Sequence, residues 1–349
     1  MKIHDVRIPM AKVMTIGLLP SPLKKLYYRL RGYKIGRRIK LRLGSVIDIS
    51  GSCKIGDETR IGAFSILSGE TLRIGKRCKI RALTIIITPH IEISHDVIIS
   101  ETAIIRAQQP FKDSRIFIGD RVHIFPFTII DPSRPIHIGS ETAIGISTYI
   151  FTHGAYKDKL AGYPISYGEV YLGKSVWLAS RAFIMPGVTL GDDVVVGPGS
   201  VVTRSFPEGS FVFGMPARIL KRKKELITQY TSEQQFKMLK EILKEFQMYV
   251  DYFCQMKTKM ISETHLSVKH KSKHNSIFLL ESLDSNEQLE AGQIYIVHGK
   301  IEPDMQKFMD KLCISWFSYE GHQCSAFLND VSEVLREYFT RYGVLFERS

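Results

Sequence analysis

The 349-residue chain contains little cysteine and no long apolar run. Its five cysteines are scattered and form no C-x-x-C pair, which argues against a disulfide framework and indicates free thiols in a reducing compartment. No stretch approaches the roughly 18 uninterrupted apolar residues that identify a membrane-spanning helix. The N-terminal residues also lack the order of charge, apolar core and cleavage site found in signal peptides. We therefore expect a cytoplasmic protein.

Acidic residues are in short supply as well. The chain has 48 lysines and arginines but 35 aspartates and glutamates, so its net charge is +13. A basic surface can attract nucleotide phosphates, acidic glycans, nucleic acid or an anionic membrane. No nucleic-acid-binding module is recognisable, and the cations are not interleaved with aromatic residues, so we expect no nucleic-acid partner. The apolar share of 44% is ordinary for globular proteins, and the length suggests two or three domains.

A period of six residues dominates the middle of the chain. Aliphatic residues fall at every sixth position in one block: Leu172, Leu178, Ile184, Leu190, Val196 and Val202. The same step recurs upstream in shorter blocks, of which the first is Leu43, Ile49, Ile55, Ile61 and Leu67. This period fits neither a helix nor one strand, but it fits a solenoid whose coils each contain three short strands around a shared core. We expect roughly seven or eight coils, with glycines supplying the corner conformations.

Three inserts interrupt the period, at residues 107–115, 131–137 and 152–171. Inserts leave a solenoid at its corners and often carry its function. The functional site is therefore expected among these inserts, of which the third is the longest.

Five short motifs lie in and after the third insert. They are Thr152 with His153, Val-Trp-Leu-Ala-Ser at 176–180, Pro-Gly-Val-Thr-Leu-Gly at 186–191, Gly-Pro-Gly-Ser-Val-Val-Thr-Arg at 197–204 and Gly-Met-Pro-Ala-Arg at 214–218. Residues 43–222 thereby resemble the hexapeptide-repeat acyltransferases, in particular galactoside and maltose acetyltransferases and polysaccharide O-acetyltransferases. The resemblance implies an all-β solenoid (a left-handed parallel β-helix), acetyl-CoA as acyl donor, no metal, and a homotrimer with each site between neighbouring subunits.

The resemblance also assigns the catalytic and acceptor residues. His153 is the expected general base, since a histidine side chain can accept a proton from the attacking hydroxyl at neutral pH. Two further residues are assigned to the acyl donor. Ser180 would offer its backbone N–H to the thioester oxygen of acetyl-CoA, and Trp177 would form a wall of the site against the cofactor or the acceptor. Asp131 is the expected partner of a sugar hydroxyl. Glu169 is a further candidate, which could orient His153.

Four more residues are assigned to coenzyme A in the same way. Pro198 would line the groove for the pantetheine arm, while Thr203 and Arg204 match positions that touch the nucleotide end. Lys221 aligns with a basic residue used there, as expected for a ligand with phosphate groups. The alternative for the basic run at 218–224 is a solvated linker.

Other functions remain open from the residues alone. His90 and His95 have the spacing found in zinc-containing hexapeptide coils, but a third, properly spaced histidine is missing, so we expect a surface role for this pair. The acceptor could be an amino group on a nucleotide sugar rather than a hydroxyl. The chain could also be a β-helix scaffold without catalytic activity.

The N-terminal residues 1–42 precede the repeat. Leu23, Leu26, Tyr27 and Leu30 have helical spacing among basic residues, which predicts an amphipathic helix. Because the open end of a solenoid has to be covered, we expect this segment to form a cap. The alternative is that residues 20–33 lie on the inner face of a membrane.

Residues 223–349 lose the repeat. Ser232 and Gln235 predict a capping box, followed by an amphipathic helix with apolar positions at Phe236, Leu239, Leu243, Phe246, Val250 and Phe253. Strands are expected near 276–280, 293–297 and 313–317, and a helix from about 326 to 342. This pattern predicts a small α+β domain, to which no motif assigns a role.

Together these features predict an acyltransferase that moves acetyl from acetyl-CoA to a sugar hydroxyl in surface-polysaccharide biosynthesis. The acceptor would attack the thioester directly, without a covalent enzyme intermediate.

Overall fold

The computed structural model describes residues 9–154, 157–270, 273–283 and 289–349. Residues 1–8 of the expected N-terminal cap and residues 155–156 of the third insert lie outside the described residues. The chain divides into two compact units, Met1–Ile227 and Thr228–Ser349. Each unit is described by itself below.

The first unit is a parallel β-helix with three sheets, in which most strands are short. Sheet 1 contains β1 (Lys34–Ile35), β4 (Cys53–Ile55), β7 (Thr71–Ile74), β10 (His90–Ile93), β13 (Arg115–Ile118), β16 (Ile136–Ile138), β21 (Val170–Leu172) and β24 (Thr189–Leu190). Sheet 2 contains β2 (Lys40–Leu41), β5 (Arg60–Ile61), β8 (Lys79–Ile80), β11 (Ile98–Ile99), β14 (His123–Ile124), β17 (Ala143–Ile144), β22 (Trp177–Leu178), β25 (Val195–Val196), β27 (Ser210–Gly214) and β28 (Ala217–Arg222). Sheet 3 contains β3 (Val46–Ile49), β6 (Ile66–Gly69), β9 (Ile85–Ile87), β12 (Ile104–Arg106), β15 (Ile129–Asp131), β18 (Tyr149–Phe151), β23 (Phe183–Ile184) and β26 (Val201–Val202).

The six-residue period places at least one aliphatic residue inside the helix on every strand of the three sheets except β28. Leu172 pairs with Leu190, Leu178 with Val196 and Ile184 with Val202, one coil apart in each sheet, and all six side chains are fully buried. Like side chains therefore stack on like side chains and form one continuous core. The predicted solenoid is confirmed, with eight coils in the part of the chain that the structure describes.

The first coil begins earlier than the repeat suggested. β1 starts at Lys34 and pairs with β4, so the coil includes residues that were expected to belong to the cap. Leu43, the first residue of the predicted aliphatic block, is 56% exposed, whereas Leu41 is buried. The prediction for Leu43 was wrong because the frame shifts by two residues between the first and second coils, and the core of the first coil is set by Leu41.

The corners use glycine only in part in the way predicted. Gly44, Gly187 and Gly199 do have the left-handed backbone angle, with φ of 71°, 79° and 66°. Several left-handed corner residues are not glycine, among them Ser175 (φ 53°), Arg181 (φ 62°) and Asp193 (φ 55°). Gly173 and Gly191 have no such backbone angle. A Cβ atom on either would lie within 2.5 Å of an atom in the next coil. These two glycines are required because successive coils approach closely, not because of φ.

The N-terminal segment contains α1 (Met10–Met14), a 3-10 turn (Ile16–Leu18) and α2 (Ser21–Leu30). Helix α2 and the residues after it contact the first coil through polar groups. The Tyr28 hydroxyl accepts from the Ile47 N–H at 2.9 Å, and the Tyr33 hydroxyl bonds both the N–H and the C=O of Ile49 at 3.0 and 2.7 Å. Because β3 is the edge strand of sheet 3, these hydroxyls replace the missing neighbouring strand.

The buried face of α2 is not the apolar face that the sequence suggested. Lys24 is fully buried, and its ammonium group donates to the Arg42 carbonyl at 2.6 Å. Burial lowers the pKa of Lys24 to about 8. Leu23, Leu26 and Leu30, by contrast, are 50%, 55% and 80% exposed. The leucine stripe therefore faces away from the coil.

The second unit is one seven-stranded sheet between helices. Its strands are β29 (Lys257–Ser262), β30 (His265–His270), β31 (Lys273–Leu280), β32 (Ile294–Val297), β33 (Ser315–Ser318), β34 (Gln323–Cys324) and β35 (Glu347–Arg348), in spatial order as numbered. Its helices are α4 (Ser232–Phe253), α5 (Pro303–Lys311) and α6 (Asp330–Phe339), followed by a 3-10 turn (Thr340–Tyr342). Ile294 and Ile296 pack in the core with α4 and α6, whereas Tyr295 and Val297 pack in the core with α5. Alternate residues of β32 thus face opposite sides of the sheet, one side packed against α4 and α6 and the other against α5.

Helix α4 begins one residue earlier than predicted. The capping box is formed by Thr231 and Gln234, whose side chains bond each other's backbone N–H, and not by Ser232 and Gln235. The side chain of Gln235 instead lies 3.0 Å from the His298 ring. Five of the six predicted apolar positions are buried, but Phe253 at the end of the helix is exposed.

The five cysteines are free thiols, as the sequence indicated. Among the helices of the described ranges, none is both long enough and apolar enough to cross a bilayer.

Replacing Tyr33 by Phe should destabilise the first unit by about 1–3 kcal/mol, because the edge N–H and C=O of Ile49 would lose their partner in a buried place. The measurement is the free energy of unfolding in urea. Tyr27→Phe is the matched control, since no described hydrogen bond joins the Tyr27 hydroxyl to a strand edge. Equal stability of the Tyr33 and Tyr27 variants would show that the hydroxyl does not hold this edge.

Candidate functional site

The three inserts leave the β-helix at the same corner. Each one connects a strand of sheet 3 to the next strand of sheet 1, in three successive coils. They are joined by hydrogen bonds from the backbone of one insert to side chains of the next. The Gln109 N–H donates to Ser133 Oγ at 3.0 Å, and the Arg134 N–H donates to Thr152 Oγ1 at 2.8 Å. The inserts leave at a corner, as predicted, and these bonds join them into one layered structure.

His153 is the second residue of the third insert and lies in a two-stranded antiparallel ribbon of β19 (His153–Gly154) and β20 (Ser166–Tyr167). Its Nδ1 atom lies 3.2 Å from Oδ2 of Asp131, and the two side chains are 13% and 1% exposed. The pair is in contact, although its angles are not those of a well-aligned hydrogen bond. Among the described residues, neither atom has another hydrogen-bond partner. In the described structure, these two buried atoms therefore face each other without a well-formed hydrogen bond.

The other carboxylate oxygen of Asp131, Oδ1, accepts hydrogen bonds that hold the side chain in place. Oδ1 accepts from the N–H and the hydroxyl of Ser133 at 3.0 and 2.6 Å, and from the Gln108 N–H at 3.3 Å. The Asp131 carboxylate is thus buried, and its Oδ1 atom is held by hydrogen bonds within the insert corner. This position suits a group that orients His153 better than one that holds a sugar hydroxyl. Glu169, the residue considered for the orienting role, is exposed, and no described contact joins it to His153.

A second feature lies at the corner between sheets 2 and 3. An open cleft of about 580 Å³ is lined by Ile146, Ser147, Ser180, Arg181, Pro198 and Gly199. Ser180 and Pro198, both expected to contact coenzyme A, share this cleft. Its floor depends on a close approach between coils. A Cβ atom on Gly145 would lie 2.7 Å from the Ser180 nitrogen. Only glycine at this position therefore allows the Ser180 backbone to approach the preceding coil so closely.

The other residues expected to bind coenzyme A lie elsewhere on this chain. Trp177 is half-exposed on the outer face of sheet 2. Thr203 and Arg204 follow β26 at the corner between sheets 3 and 1, where the Arg204 guanidinium lies 5.4 Å from the Phe206 ring centre. Lys221 is exposed on β28, opposite Phe211. The structure therefore brings together only two of the six within one described chain.

The basic run at 218–224 is not a linker. Its residues belong to β28 and to α3 (Lys223–Leu226), and β28 forms an antiparallel hairpin with β27. Arg222 donates to Ser210 Oγ at 2.9 Å, and Lys223 pairs with Asp193 at 2.7 Å. Both cations thus make contacts within the last coils and their hairpin.

His153 and the cleft lie at different corners of the same chain. Sheet 3 separates them, and its outer face carries an aromatic cluster of Tyr149, Phe151 and Phe183. The Phe151 and Phe183 ring centres are 5.3 Å apart, and Phe151 lies edge-on to the His153 ring. One chain by itself therefore does not place the imidazole in the cleft.

The histidine pair with zinc-like spacing makes other contacts. His90 Nδ1 lies 2.9 Å from the Thr71 hydroxyl, and His95 Nδ1 accepts from the Lys76 N–H at 2.9 Å. In the portions of the chain that are described, no cluster of three or more His, Cys, Asp or Glu side chains is arranged to hold a metal.

Several residues at the insert corner were missed by sequence reasoning. Ser133, Arg134 and Tyr167 all contribute contacts there, yet only the Asp-Pro-Ser sequence at 131–133 gives a local signal, that of a turn. The others come together through stacking of the inserts.

Comparison with known proteins agrees with the repeat. Residues 169–204 match the family model described as bacterial transferase hexapeptide (six repeats). The putative lipopolysaccharide biosynthesis O-acetyl transferase WbbJ of Escherichia coli (strain K12) is 32% identical over 118 residues, covering 31% of this chain and 60% of that protein. The galactoside O-acetyltransferase of the same organism is 31% identical over 119 residues, covering 31% and 54%. The crystal structure of the polysialic acid O-acetyltransferase OatWY covers 57% of this chain and 92% of that one, with 20% identity and a TM-score of 0.39.

By its repeat, this chain is similar to the hexapeptide-repeat transferases, in which the repeat implies a left-handed β-helix. The chain spans about half the length of the curated relatives it matches.

Replacing Asp131 by Ala should destabilise the insert corner by about 1–3 kcal/mol, because the N–H groups of Ser133 and Gln108 would lose a buried acceptor. Asp131→Asn keeps an oxygen at the Oδ1 position and should lie close to wild type. Thermal unfolding of both variants gives the comparison. If Ala and Asn melt alike, the Oδ1 contacts do not organise this corner.

Proposed function

We propose that this protein is a coenzyme A-dependent acetyltransferase that moves acetyl from acetyl-CoA to a sugar hydroxyl in surface-polysaccharide biosynthesis. The observation that supports it most is the buried Asp131 carboxylate in contact with Nδ1 of His153, at the corner where three inserts meet. The names of the relatives, O-acetyltransferases of galactosides and of lipopolysaccharide biosynthesis, support the same reaction class.

The proposed chemistry follows from which ring nitrogen of His153 faces the Asp131 carboxylate. A carboxylate beside Nδ1 favours the tautomer with the proton on Nδ1, which leaves the lone pair on Nε2. As the acceptor oxygen attacks the thioester carbonyl, Nε2 of His153 takes its proton. The C–S bond then breaks as the ester bond to the acceptor is completed, and the departing coenzyme A thiolate takes the proton from the His153 imidazolium. The Ser180 N–H is the proposed donor to the carbonyl oxygen as it becomes negative.

A complete site in this proposal needs a second copy of the chain. The corner that holds the cleft continues along the coil as an exposed apolar ridge, whose residues are Leu43, Phe64, Leu83, Phe127 and Ile146, each 46–60% exposed. An exposed ridge of this kind suits a protein interface. A homotrimer would cover the ridge and bring the His153 corner of one subunit to the cleft of its neighbour. The mass in solution by light scattering tests this, and a monomer would contradict it.

His153→Ala should lower acetyl transfer by about 10²-fold or more, because the acceptor would lose its base. The measurement is release of coenzyme A thiol, with coenzyme A affinity by calorimetry to show that the variant still binds the donor. His90→Ala is the matched control, since the His90 side chain contacts only Thr71 among the described hydrogen bonds. Near-wild-type turnover of His153→Ala would remove this residue from the mechanism.

Two further outcomes separate the alternatives. Acetyl released from the product by hydroxylamine indicates an ester, whereas a resistant product indicates transfer to an amine. A chain that binds no coenzyme A would be the scaffold considered above.

The surface of the N-terminal helix α2 suggests where in the cell this activity takes place. The sequence between Asp5 and Asp48 has eleven lysines and arginines and no acidic residue. The exposed stripe of Leu23, Leu26 and Leu30 lies on this segment. An exposed apolar stripe with cations beside it suits an anionic lipid surface. We propose that α2 covers the first coil with one face and rests on such a membrane, at its inner side, with the other.

Changing Leu23, Leu26 and Leu30 together to Ser should abolish cosedimentation with vesicles that contain phosphatidylglycerol, while leaving the melting temperature within a few degrees of wild type. Leu160→Ser is the control, because Leu160 is 98% exposed but lies in the third insert. Binding that persists in the triple variant contradicts the proposal. A change in oligomer mass in that variant would assign the stripe to a protein contact instead.

A further inference from the structure

We propose that Phe111, Arg134 and Tyr167 form an acceptor platform, a surface beside His153 on which a neutral pyranose ring of the acceptor stacks. This inference rests on the proposed function. It adds the residues that recognise the acceptor, none of which the sequence indicated.

The platform is built from one residue of each insert. The Tyr167 ring lies nearly parallel to the His153 ring, at 24° and 6.4 Å between centres. Phe111 meets Tyr167 edge-on at 5.4 Å. The Arg134 guanidinium lies 3.9 Å from the Phe111 ring centre and 5.6 Å from that of Tyr167. An aromatic surface thus extends directly from the proposed base.

Hydrogen bonds fix the platform from behind. The Tyr167 hydroxyl donates to Gln109 Oε1 at 2.6 Å, and Nη1 of Arg134 lies 3.2 and 3.3 Å from the two oxygens of Asp113. The backbones of Gln109 and Arg134 are bonded to the neighbouring inserts, as described above. Such a surface needs no ordering when it binds a ligand, which favours affinity.

The surface is nevertheless open to solvent. Tyr167 is 38% exposed and the Arg134 side chain 31% exposed. Of the guanidinium nitrogens, only Nη1 is bonded to Asp113 in the described structure, so Nε and Nη2 can serve as donors. The side-chain carbonyl oxygen of Gln109 is bonded to Tyr167, so the side-chain NH2 group of Gln109 can donate to an oxygen of the sugar.

These groups match a sugar ring. One face of a pyranose carries C–H groups that pack against an aromatic ring, and its hydroxyl oxygens accept from guanidinium and amide N–H groups. Asp113 balances the charge of Arg134, so the pair offers no net attraction to a carboxylate. The platform therefore favours a neutral pyranose over a uronic acid. A ring stacked on Tyr167 would place a hydroxyl towards His153.

The test is the Michaelis constant for the acceptor, measured with a panel of methyl glycopyranosides and methyl glucuronide, alongside the dissociation constant for coenzyme A by calorimetry. Tyr167→Ala should raise the acceptor KM at least about tenfold, the loss expected when a stacking partner is removed, with coenzyme A affinity unchanged. Tyr167→Phe keeps the ring and should recover most of the loss. Tyr163→Ala is the control, because Tyr163 is an exposed tyrosine of the same insert. Neutral glycosides should have lower KM than the glucuronide.

The outcomes separate this inference from the proposed function. Acetyl transfer with an acceptor KM that Tyr167→Ala leaves unchanged would overturn the platform alone. Saccharide binding by saturation-transfer NMR that depends on Tyr167, without acetyl transfer, would support the platform and contradict the proposed reaction. A wild-type protein that neither binds nor acetylates any pyranoside of the panel would overturn the platform. Thermal unfolding of Tyr167→Ala confirms that the ribbon remains folded, and if it does not, Tyr167→Leu replaces it in the same comparison.

Discussion

The constraint on which this molecule depends is the in-register pairing of each coil with the next. Between the first and last coils, each strand of the β-helix bonds to strands one coil before and one coil after, and its inward aliphatic side chain stacks on theirs. Extra residues cannot enter a strand without turning that side chain to the wrong face. They can leave only at corners. Ile138 pairs with Leu172 although the third insert separates them in sequence, so the ladder resumes in register after the chain has left it.

The site is a consequence of this constraint. Three inserts that leave successive coils between the same two sheets necessarily stack, and their backbone N–H groups meet side chains of the neighbouring insert. Asp131 lies at the base of this stack, where it accepts from Ser133 and Gln108 on one oxygen and faces His153 with the other. A buried carboxylate with those contacts can orient an imidazole. The geometry of the β-helix thereby turns three irregular segments into an organised corner.

The same regularity explains why one chain does not form the whole proposed site. Corners of a β-helix point away from each other, so the imidazole at one corner and the cleft at another are separated by the outer face of sheet 3. That face carries Tyr149, Phe151 and Phe183, and the cleft corner continues as an apolar ridge. Both surfaces are what a neighbouring copy would cover in the proposed trimer. The N-terminal helix meets the coil differently, with tyrosine hydroxyls and a buried lysine at the edge strand, which leaves its leucines outside.

The sequence by itself determined the β-helix, its approximate number of coils and the three inserts, because a period of six and its interruptions are local properties of the chain. The role of His153 as the base stays a prediction. Tertiary structure decided the rest. The pairing of Asp131 with His153, the platform of Phe111, Arg134 and Tyr167, and the separation of Trp177 from the cleft depend on which residues stack between coils. The sequence also did not show that the leucines of α2 would face away from the coil. An amphipathic pattern shows which face is apolar, but the edge strand offered unpaired N–H and C=O groups, so the face with Lys24 and Tyr28 was the one that packed.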